Sequence, residues 1–416
     1  MSSITIEKKV RSGAIAIPPS KSDSQRAILA ASLVKGTSTL HNIGKSADEL
    51  AMLTTVKQLG AQVHFTEENV VEITGINIFP NEATINIGES GLGIRLMTSV
   101  LASQKGKYTI LGKGSLCSRP MDFFPKTLSQ LAVKVTTQND FLPIEIEGPM
   151  QGNKTITVDG SLSSQYLSGL LMALPLIDGD TTIEVKDLKS IPYVSMTLET
   201  LNQFGIKIEN NDFQTFKIKG NQIYNTTNYT IESDWSSASY WLVASALGMD
   251  ICLTGLEMNS LQADKKILTA FLNANCKIIE AEKAIRINGL ERKPFEFDAS
   301  HCPDLFPALV VFAAYCRGIS SIKGVYRLKH KESDRGIVLQ QEFKKLGVNI
   351  DLNGDEMLVH GTGHVNGGIC DSNNDHRIAM CLGIASCFSE SPITINDAEA
   401  VKKSYPSFWG DLEGIC

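Results

Sequence analysis

The sequence predicts an α/β protein built from one repeated unit: strand, helix, strand, helix and then two strands around a turn. The first observation is that strand-like segments with alternating polar and apolar residues take turns with helical stretches along the chain. The second is that three predicted helices, over 47–60, 194–205 and 336–347, end on Leu-Gly or Phe-Gly before a strand-like segment. Glycine commonly ends a helix, so these stretches are interpreted as one supersecondary unit used repeatedly.

The elements at the start of the chain show this order most clearly. Strands are predicted at 14–17, 37–41, 61–65, 70–73, 84–87 and 108–111. Helices are predicted at 47–59 and 91–102. The segment 1–7 alternates like a further strand and lacks the apolar core of a secretion signal.

The length of the chain predicts more than one domain. At about 150 residues per domain, 416 residues correspond to two or three domains. No proline-rich or serine-rich linker divides the chain, and the best candidate boundary is the polar segment 224–233. The turn at Pro18 and Pro19, so early in the chain, is interpreted as a second crossing between the same two domains.

Composition and charge exclude several classes of protein. The chain is 43% hydrophobic and 20% charged, and its net charge of −6 argues against nucleic acid or an anionic membrane as partner. No apolar run approaches the roughly 18 residues of a membrane span. The nine cysteines include no Cys-x-x-Cys pair, which predicts a reduced cytoplasmic protein without disulfides or a zinc site. Neither Gly-x-Gly-x-x-Gly nor a Gly-Lys-Ser/Thr loop is present, so no nicotinamide or ATP cofactor is expected.

The stretch 18–33 has the chemistry of an anion site. Ser20 or Ser22 can cap a helix whose small, apolar body leaves free backbone N–H groups at its opening. Lys21 adds a charge there, while Ser22 and Arg26 lie four residues apart on one helix face and can hold one phosphate or carboxylate. An ordinary capped helix with solvated cations explains this stretch equally well.

Five other stretches repeat that pattern of a polar opening before a small, apolar helical body. They begin at Glu89, Ser163, Asp234, Asp304 and Asn374, and the bodies of the last four cover 166–176, 238–247, 305–315 and 378–388. Helices that are apolar on all sides are buried ones. Several positive helix ends directed at one cleft would bind anions strongly.

Charged motifs elsewhere are more ambiguous. Arg119 follows Cys117 in a predicted loop tip, where an arginine is usually solvated. In Lys-Glu-Ser-Asp-Arg at 331–335, a helix start would place Lys331 and Arg335 on one face, with Glu332 between two cations that favour its ionised form. A solvated helix face is the commoner explanation of such a run.

Two carboxylates precede predicted buried helices. Asp304 is a candidate proton acceptor, and Asp375 lies in Asn-Asp-His-Arg, directly before Arg377; either could instead be only a helix cap. A solvated face does not normally lead into a buried helix, so function is favoured for the second motif.

Together the motifs supply many cations, a few carboxylates and no metal-ligand cluster. That set suits binding two anionic small molecules and moving protons between them.

These motifs resemble the 5-enolpyruvylshikimate-3-phosphate synthase (3-phosphoshikimate 1-carboxyvinyltransferase) family. The likeness covers 19–406 and rests on Ser20, Lys21, Ser22 and Arg26, on Ser163, Ser164 and Gln165, and on the motifs at 331–335, 374–377 and 403–406. The resemblance implies two domains, each with three βαβαββ repeats and buried parallel helices. The expected domains are 20–232, on the shikimate 3-phosphate side, and 1–19 with 233–416, with hinge crossings near 18–20 and 230–234.

The implied reaction transfers the enolpyruvyl group of phosphoenolpyruvate to the 5-hydroxyl of shikimate 3-phosphate and releases phosphate, on the route to chorismate and the aromatic amino acids. A cytoplasmic monomer without cofactor or metal is expected. The implied shikimate 3-phosphate ligands are Lys21, Ser22, Arg26, Ser163, Ser164, Gln165, Ser190, Tyr193, Asp304 and Lys331. The implied phosphoenolpyruvate ligands are Lys21, Gly91, Arg119, Gln165, Arg335, Arg377 and Lys403. Asp304 is expected to be the principal proton acceptor and Glu332 the partner of the methylene proton, with Lys21 assisting.

The sequence departs from the family pattern in three places. Glu-Ser-Gly-Leu at 89–92 stands where the family has Asn-Ala-Gly-Thr, Leu96 replaces a proline, and Ser115 replaces an arginine. These changes predict altered affinity for phosphoenolpyruvate and reduced sensitivity to glyphosate, which competes for that site.

Three alternatives remain. UDP-N-acetylglucosamine 1-carboxyvinyltransferase uses a loop cysteine, but Cys117 stands only two residues before Arg119, closer than in that family. The set Lys21, Ser22 and Arg26 also has no place there. A non-catalytic binding paralogue is supported by the changes around Gly91 and at position 115, and opposed by the retained charged motifs. RNA 3′-phosphate cyclase has a related repeat, but the acidic charge and missing nucleotide motifs disfavour it.

Overall fold

The computed structural model describes residues 2–8, 12–161, 163–281 and 284–415. The chain forms two compact units. The N unit is Pro19–Ile231, and the C unit is Met1–Pro18 with Glu232–Cys416. The residues 1, 9–11, 162, 282–283 and 416, which fall inside the predicted domains, lie outside the described residues. The hinge and the assignment of one substrate to one domain stay predictions.

The strands follow one another along the chain as expected of a repeated α/β protein. In chain order they are β1 (Ser3–Ile6), β2 (Ser12–Ala16), β3 (Thr37–His41), β4 (Gln62–Glu67), β5 (Val70–Thr74), β6 (Glu82–Asn86), β7 (Gly106–Leu111), β8 (Lys134–Gln138), β9 (Phe141–Gly148), β10 (Lys154–Asp159), β11 (Thr181–Lys186), β12 (Ile208–Asn211), β13 (Thr215–Ile218), β14 (Asn228–Thr230), β15 (Asp250–Thr254), β16 (Lys277–Ala281), β17 (Ala284–Asn288), β18 (Glu296–Asp298), β19 (Gly318–Lys323), β20 (Asn349–Asn353), β21 (Glu356–Gly361), β22 (Gly368–Asp371) and β23 (Ile393–Asn396).

The α-helices alternate with these strands. They are α1 (Lys21–Ser32), α2 (Ala47–Gln58), α3 (Gly91–Ser103), α4 (Phe123–Leu128), α5 (Ser164–Ala173), α6 (Ile191–Gln203), α7 (Trp235–Leu247), α8 (Ile267–Asn273), α9 (Phe306–Ala314), α10 (Arg335–Lys345), α11 (His376–Ser386) and α12 (Phe408–Gly414). The six strands and two helices predicted at the start of the chain are all present, shifted by no more than two residues at either end. Among the described residues, no helix has the length and apolar character needed to cross a lipid bilayer.

The N unit contains three four-stranded mixed sheets, ordered β14-β3-β5-β4, β6-β7-β9-β8 and β10-β11-β13-β12. In each sheet the first two strands are parallel and the remaining pairs are antiparallel. The second and third sheets follow the predicted order along the chain, for example β10, α5, β11, α6, β12 and β13. The first sheet takes its edge strand β14 from the far end of the unit.

The C unit repeats this plan with one variation. Its sheets are ordered β16-β17-β15-β2, β18-β19-β21-β20 and β1-β23-β22. The third sheet is completed by β1, which runs antiparallel to β23 with Ile4 opposite Ile395. The mixed α/β fold with repeated βαβαββ units is therefore confirmed.

Helices α1, α3 and α5 are buried in the N unit, and α7, α9 and α11 in the C unit. Every residue of α3 is buried. A Cβ at Gly169 of α5 would lie 2.4 Å from the carbonyl oxygen of Arg95 on α3, so only glycine permits this approach. The predicted helix over 166–176 changes to a 3₁₀ turn at Leu174–Leu176, where Pro175 cannot donate an α-helical hydrogen bond.

Candidate active site

The C unit gathers six charged side chains, and Arg335, the first residue of α10, lies at their centre. We call them the Asp304 cluster: Asp304, Lys331, Glu332, Arg335, Asp375 and Arg377. Arg335 is 1% exposed, and its Nε donates to Asp375 Oδ2 at 2.8 Å. Its Nη1 donates to Asp304 Oδ1 at 2.7 Å, and its Nη2 donates to Glu332. One guanidinium therefore connects three carboxylates.

Asp304 lies in a 3₁₀ turn, Pro303–Leu305, immediately before α9. Its carboxylate does not cap that turn or α9, so the alternative of a mere helix cap is wrong. It accepts from Lys331 Nζ at 3.0 Å and from Arg377 Nη2 at 3.1 Å, besides Arg335. Burial alone would raise the pKa of Asp304, but Arg377, Lys331 and Arg335 outweigh it and hold the pKa well below its usual range.

Asp375 serves both purposes that the sequence left open. It caps α11 by accepting from the backbone N of Arg377 at 3.0 Å. It also accepts from Arg335 and from Ser333 Oγ, the latter at 3.0 Å. The helix cap is thus also a structural member of the Asp304 cluster.

The prediction that 331–335 begins a helix is wrong for its first residues. Helix α10 begins at Arg335, and the side chain of Asp334 caps it by accepting from Ile337 N at 3.4 Å. Aspartate is a strong N-cap residue, so the helix starts after it. Lys331 and Arg335 do not share a helix face; the carboxylate of Asp304 brings them together. Burial lowers the pKa of Lys331, although Asp304 opposes the shift.

Lys403 lies close to the loop before α11. It ends a 3₁₀ helix, Ala398–Lys403, and its Nζ donates to the carbonyl oxygen of Asn374 at 2.6 Å. Lys403 is only 8% exposed. A predicted phosphoenolpyruvate ligand is therefore held next to the segment that carries Asp375 and Arg377.

The opening of α1 in the N unit has a different construction. Of the two candidate caps, the structure selects Ser20, which accepts from Asp23 N at 3.4 Å. Lys21 Nζ lies 2.9 Å from Asp48 Oδ2, and both side chains are largely buried. Sequence reasoning missed Asp48 because an acidic residue in the first turn of α2 reads as an ordinary helix start.

Arg26 is buried and is bonded to neutral oxygens. Its Nε donates to Thr197 Oγ1 at 2.8 Å, its Nη1 to Ser22 O at 2.7 Å and its Nη2 to Tyr193 O at 3.1 Å. Burial lowers the pKa of Arg26 to about 10. Because Thr197 and Tyr193 belong to α6, this guanidinium joins α6 to α1.

Two guanidinium groups converge on the start of α3. A Cβ at Gly91 would lie 2.4 Å from Arg119 Nη1 and 3.1 Å from Arg95 Nη1, so a side chain there would displace these guanidinium groups. Arg119 is 5% exposed, and the expectation of a solvated loop arginine is wrong. Arg95 donates to Gly91 O at 2.7 Å and lies over the Tyr166 ring at 4.9 Å. Sequence reasoning missed Arg95 because it sits inside an apolar helical body.

The remaining predicted ligands in the N unit lie at helix starts. Ser163 caps α5 by accepting from Gln165 N at 3.2 Å, and Ser164 is buried. Ser190 stands at the start of α6 with a left-handed φ of 55°. The structure brings Tyr193 together with Arg26 and Ser22, as described above.

Two of the residues that depart from the family pattern, Glu89 and Ser115, contact each other. Glu89 Oε2 accepts from the backbone N of Ser115 at 3.2 Å and from its hydroxyl at 3.3 Å. Leu92 and Leu96 are 5% and 0% exposed and belong to the core. The unusual carboxylate thus holds the loop that leads to Arg119.

Comparison with known families agrees with these motifs. The sequence model of the family EPSP synthase (3-phosphoshikimate 1-carboxyvinyltransferase) matches residues 5–412. The chain belongs to the EPSP synthase family. A 3-phosphoshikimate 1-carboxyvinyltransferase of Clostridium perfringens (strain SM101 / Type A) is 36% identical over 419 residues, covering 100% of this chain and 98% of the relative. One of Clostridioides difficile (strain 630) is 35% identical over 428 residues, covering 99% and 97%.

Solved structures show the same fold. An EPSP synthase from Acinetobacter baumannii superimposes with a TM-score of 0.82 at 24% identity, covering 100% of this chain and 98% of that one. The enolpyruvyl transferase NikO from Streptomyces tendae gives a TM-score of 0.79 at 17% identity, covering 99% and 96%. At these identities the likeness concerns the fold alone.

Proposed function

We propose that this member of the EPSP synthase family transfers the enolpyruvyl group from phosphoenolpyruvate to the 5-hydroxyl of shikimate 3-phosphate, and that it does so in aromatic amino acid biosynthesis. Its relatives along the whole chain are named for that activity. The observation that carries the proposal is Asp304, a carboxylate that is 20% exposed and is held by three cations that belong to the family's motifs. Small anionic substrates need such cations, and the reaction needs a proton acceptor beside them.

The ligand sets are proposals. Shikimate 3-phosphate is bound by Lys21, Ser22, Arg26, Ser163, Ser164, Gln165, Ser190, Tyr193, Asp304 and Lys331. Phosphoenolpyruvate is bound by Lys21, Gly91, Arg119, Gln165, Arg335, Arg377 and Lys403. In the N unit, the surroundings of Gly91 support this, because two guanidinium groups, those of Arg119 and Arg95, lie directly against this glycine.

Substrate binding activates Asp304 as a base in this mechanism. Without an anion, Arg377, Lys331 and Arg335 keep its pKa well below the usual range, which makes it a weak base. An anion that takes Arg377 or Lys331 as a partner weakens their hold on the carboxylate. The pKa of Asp304 then rises, and the carboxylate can accept the proton of the attacking hydroxyl.

Glu332 is proposed as the partner of the methylene proton. In the structure its carboxylate is bound to Arg335 Nη2. Phosphoenolpyruvate replaces Glu332 at that nitrogen, and the released carboxylate becomes available for proton transfer. Lys21, which is paired with Asp48, assists these proton transfers. The methyl group of the resulting tetrahedral adduct then gives up a proton to Glu332 as the adduct expels inorganic phosphate, and the carbon–carbon double bond of the enolpyruvyl ether re-forms.

Phosphate release tests the function. The protein is mixed with phosphoenolpyruvate and either shikimate 3-phosphate or UDP-N-acetylglucosamine. Release with shikimate 3-phosphate alone, and its loss in Asp304→Ala, is the expected result. Phosphate release with UDP-N-acetylglucosamine would show that shikimate 3-phosphate is not the acceptor substrate. Saturable binding of shikimate 3-phosphate without phosphate release would show that the protein is a non-catalytic binding paralogue. The monomeric state and cytoplasmic location stay predictions.

A further inference from the structure

Tyr240 of α7 has a buried hydroxyl that the mechanism above does not use. The residue is 0% exposed, and its hydroxyl has no hydrogen-bond partner among the described residues. A buried polar group without a partner costs folding free energy, so such groups are rare and require an explanation.

The other buried tyrosines show how unusual this is. The hydroxyls of Tyr108, Tyr166, Tyr224 and Tyr315 each donate to a backbone carbonyl, and that of Tyr405 accepts from Trp241. The fold therefore supplies a partner wherever a tyrosine is buried only for packing. At Tyr240 it leaves the hydroxyl uncommitted.

Most of the ionisable groups around Tyr240 belong to the Asp304 cluster. Helix α7 packs against α9 and α11 within the C unit. The ionisable groups that interact with the Tyr240 hydroxyl are Arg377 first, then Cys381, Arg335 and Asp375. A phenol oxygen accepts hydrogen bonds, and a guanidinium only donates them, so Arg377 is the natural partner.

In the structure, Arg377 is committed elsewhere, because its Nη2 donates to Asp304 at 3.1 Å. An anion bound by Arg377 competes with that contact. A guanidinium that turns away from Asp304 needs a new acceptor on the protein to hold its orientation.

We propose that Tyr240 is a positioning residue, whose hydroxyl accepts a hydrogen bond from Arg377 when a bound anion draws that guanidinium away from Asp304. In the anion-free state the unpaired hydroxyl of Tyr240 lowers stability. In the anion-bound state its hydrogen bond from Arg377 is stabilising. The inference rests on the proposed function only for the identity of the anion, phosphoenolpyruvate.

Tyr240→Phe tests the proposal, with Tyr315→Phe as the matched control. Tyr315 is in the same unit, and its hydroxyl donates to Ala385 O at 2.9 Å. In Tyr240→Phe, the melting temperature without ligand stays at or above that of the wild type, because no hydrogen bond is lost. The KM for phosphoenolpyruvate rises about tenfold, as expected for one lost hydrogen bond to a charged group, with a smaller change in kcat. In Tyr315→Phe, the melting temperature falls and KM is unchanged.

A double variant locates the partner. If Tyr240 acts through Arg377, then Tyr240→Phe has little further effect on KM in an Arg377→Lys background, and the two effects are not additive. Additive effects would overturn the proposed partner. A lower melting temperature with unchanged KM would make the hydroxyl structural, and no change in either quantity would make it idle; both overturn the proposal.

Failure of the proposed function is recognised separately. If the wild type releases no phosphate, that function fails. The rise in melting temperature on adding phosphoenolpyruvate with shikimate 3-phosphate then replaces KM as the readout, and a smaller rise in Tyr240→Phe than in the wild type supports the positioning role. Equal rises in the two proteins overturn it.

Discussion

The cations of the Asp304 cluster and Arg26 of the N unit have different partners. In the C unit, Lys331, Arg335 and Arg377 meet the carboxylates of the Asp304 cluster. In the N unit, Arg26 is bonded to a threonine hydroxyl and two backbone carbonyls. Carboxylates can take up protons and neutral oxygens cannot. The comparison indicates that the Asp304 cluster surrounds its cations with groups suited to proton transfer, whereas Arg26 is bonded to neutral oxygens. Lys21, which is paired with Asp48, resembles the C-unit cations in this respect.

The strongest way to break this comparison is to remove the central carboxylate. Asp304→Asn keeps the shape of the side chain but removes the charge shared by three cations. We expect kcat for phosphate release to fall by about 10²–10⁴-fold, the usual contribution of a general base. Asp334→Asn is the control, because Asp334 is an exposed helix cap outside the cluster. Equal losses in the two variants would contradict a special role for Asp304.

Because Arg26 is hydrogen-bonded to oxygens of the protein itself, its replacement is expected to have a large effect on stability. Arg26→Met removes the bonds to Thr197 and Tyr193 and so loosens α1 from α6. We expect the free energy of unfolding to fall by about 3 kcal/mol, as for other broken buried networks. Urea unfolding measures this, and Lys45→Met, at an exposed ion pair, is the control with little change. Unchanged stability of Arg26→Met would contradict the scaffold role and leave Arg26 only its proposed part in binding shikimate 3-phosphate.

The C unit also contains Asp264, a buried carboxyl group that makes the stability of the protein depend on pH. Burial first, and then the neighbouring Asp304, raise the pKa of Asp264 from 3.8 to about 6, against the opposing effects of Arg377 and the Ser236 hydroxyl. A raised pKa favours the neutral form in the folded protein. The stability that the Asp264 carboxyl group contributes is therefore present below pH 3.8 and is lost as the pH rises through about 6.

This loss is measured as the difference between the wild type and Asp264→Asn. We expect the wild type to lose about 2 kcal/mol relative to the variant as the pH rises from 4 to 7. The depressed pKa of Asp304 acts below this range, since its carboxylate is ionised throughout it in the folded protein. Parallel stability curves for the two proteins would show that Asp264 does not titrate there.

The smallest expected effect concerns Glu89 in the N unit. Glu89→Gln keeps an acceptor for Ser115 but removes the negative charge beside the loop of Arg119. We expect KM for phosphoenolpyruvate to fall about threefold, which is the scale of a partly solvated charge interaction. Glyphosate is expected to inhibit Glu89→Gln more strongly than the wild type. Glu145→Gln, at an exposed strand position, is the control, and unchanged constants in Glu89→Gln would remove Glu89 from the explanation.

Much of the candidate site could be recognised from the sequence, but its internal contacts could not. The motifs at 331–335 and 374–377 were visible as charged openings before apolar helices. Their meeting at Asp304 was not, and neither were the burial of Arg119, the position of Arg95 near Gly91 or the pairing of Lys21 with Asp48. A local pattern shows which charges are present, whereas burial depends on what the rest of the chain places around them.

The sequence by itself determined where several helices begin. Ser20, Ser90 and Asp375 cap α1, α3 and α11 by accepting from N–H groups two or three residues further on, so local chemistry is sufficient there. Only the tertiary structure decided which charges meet. Arg335 reaches Asp304 across 31 residues and Asp375 across 40, and Arg377 reaches Asp304 across 73. Such contacts depend on how separate repeats pack, because no interaction within a helix or turn spans these distances.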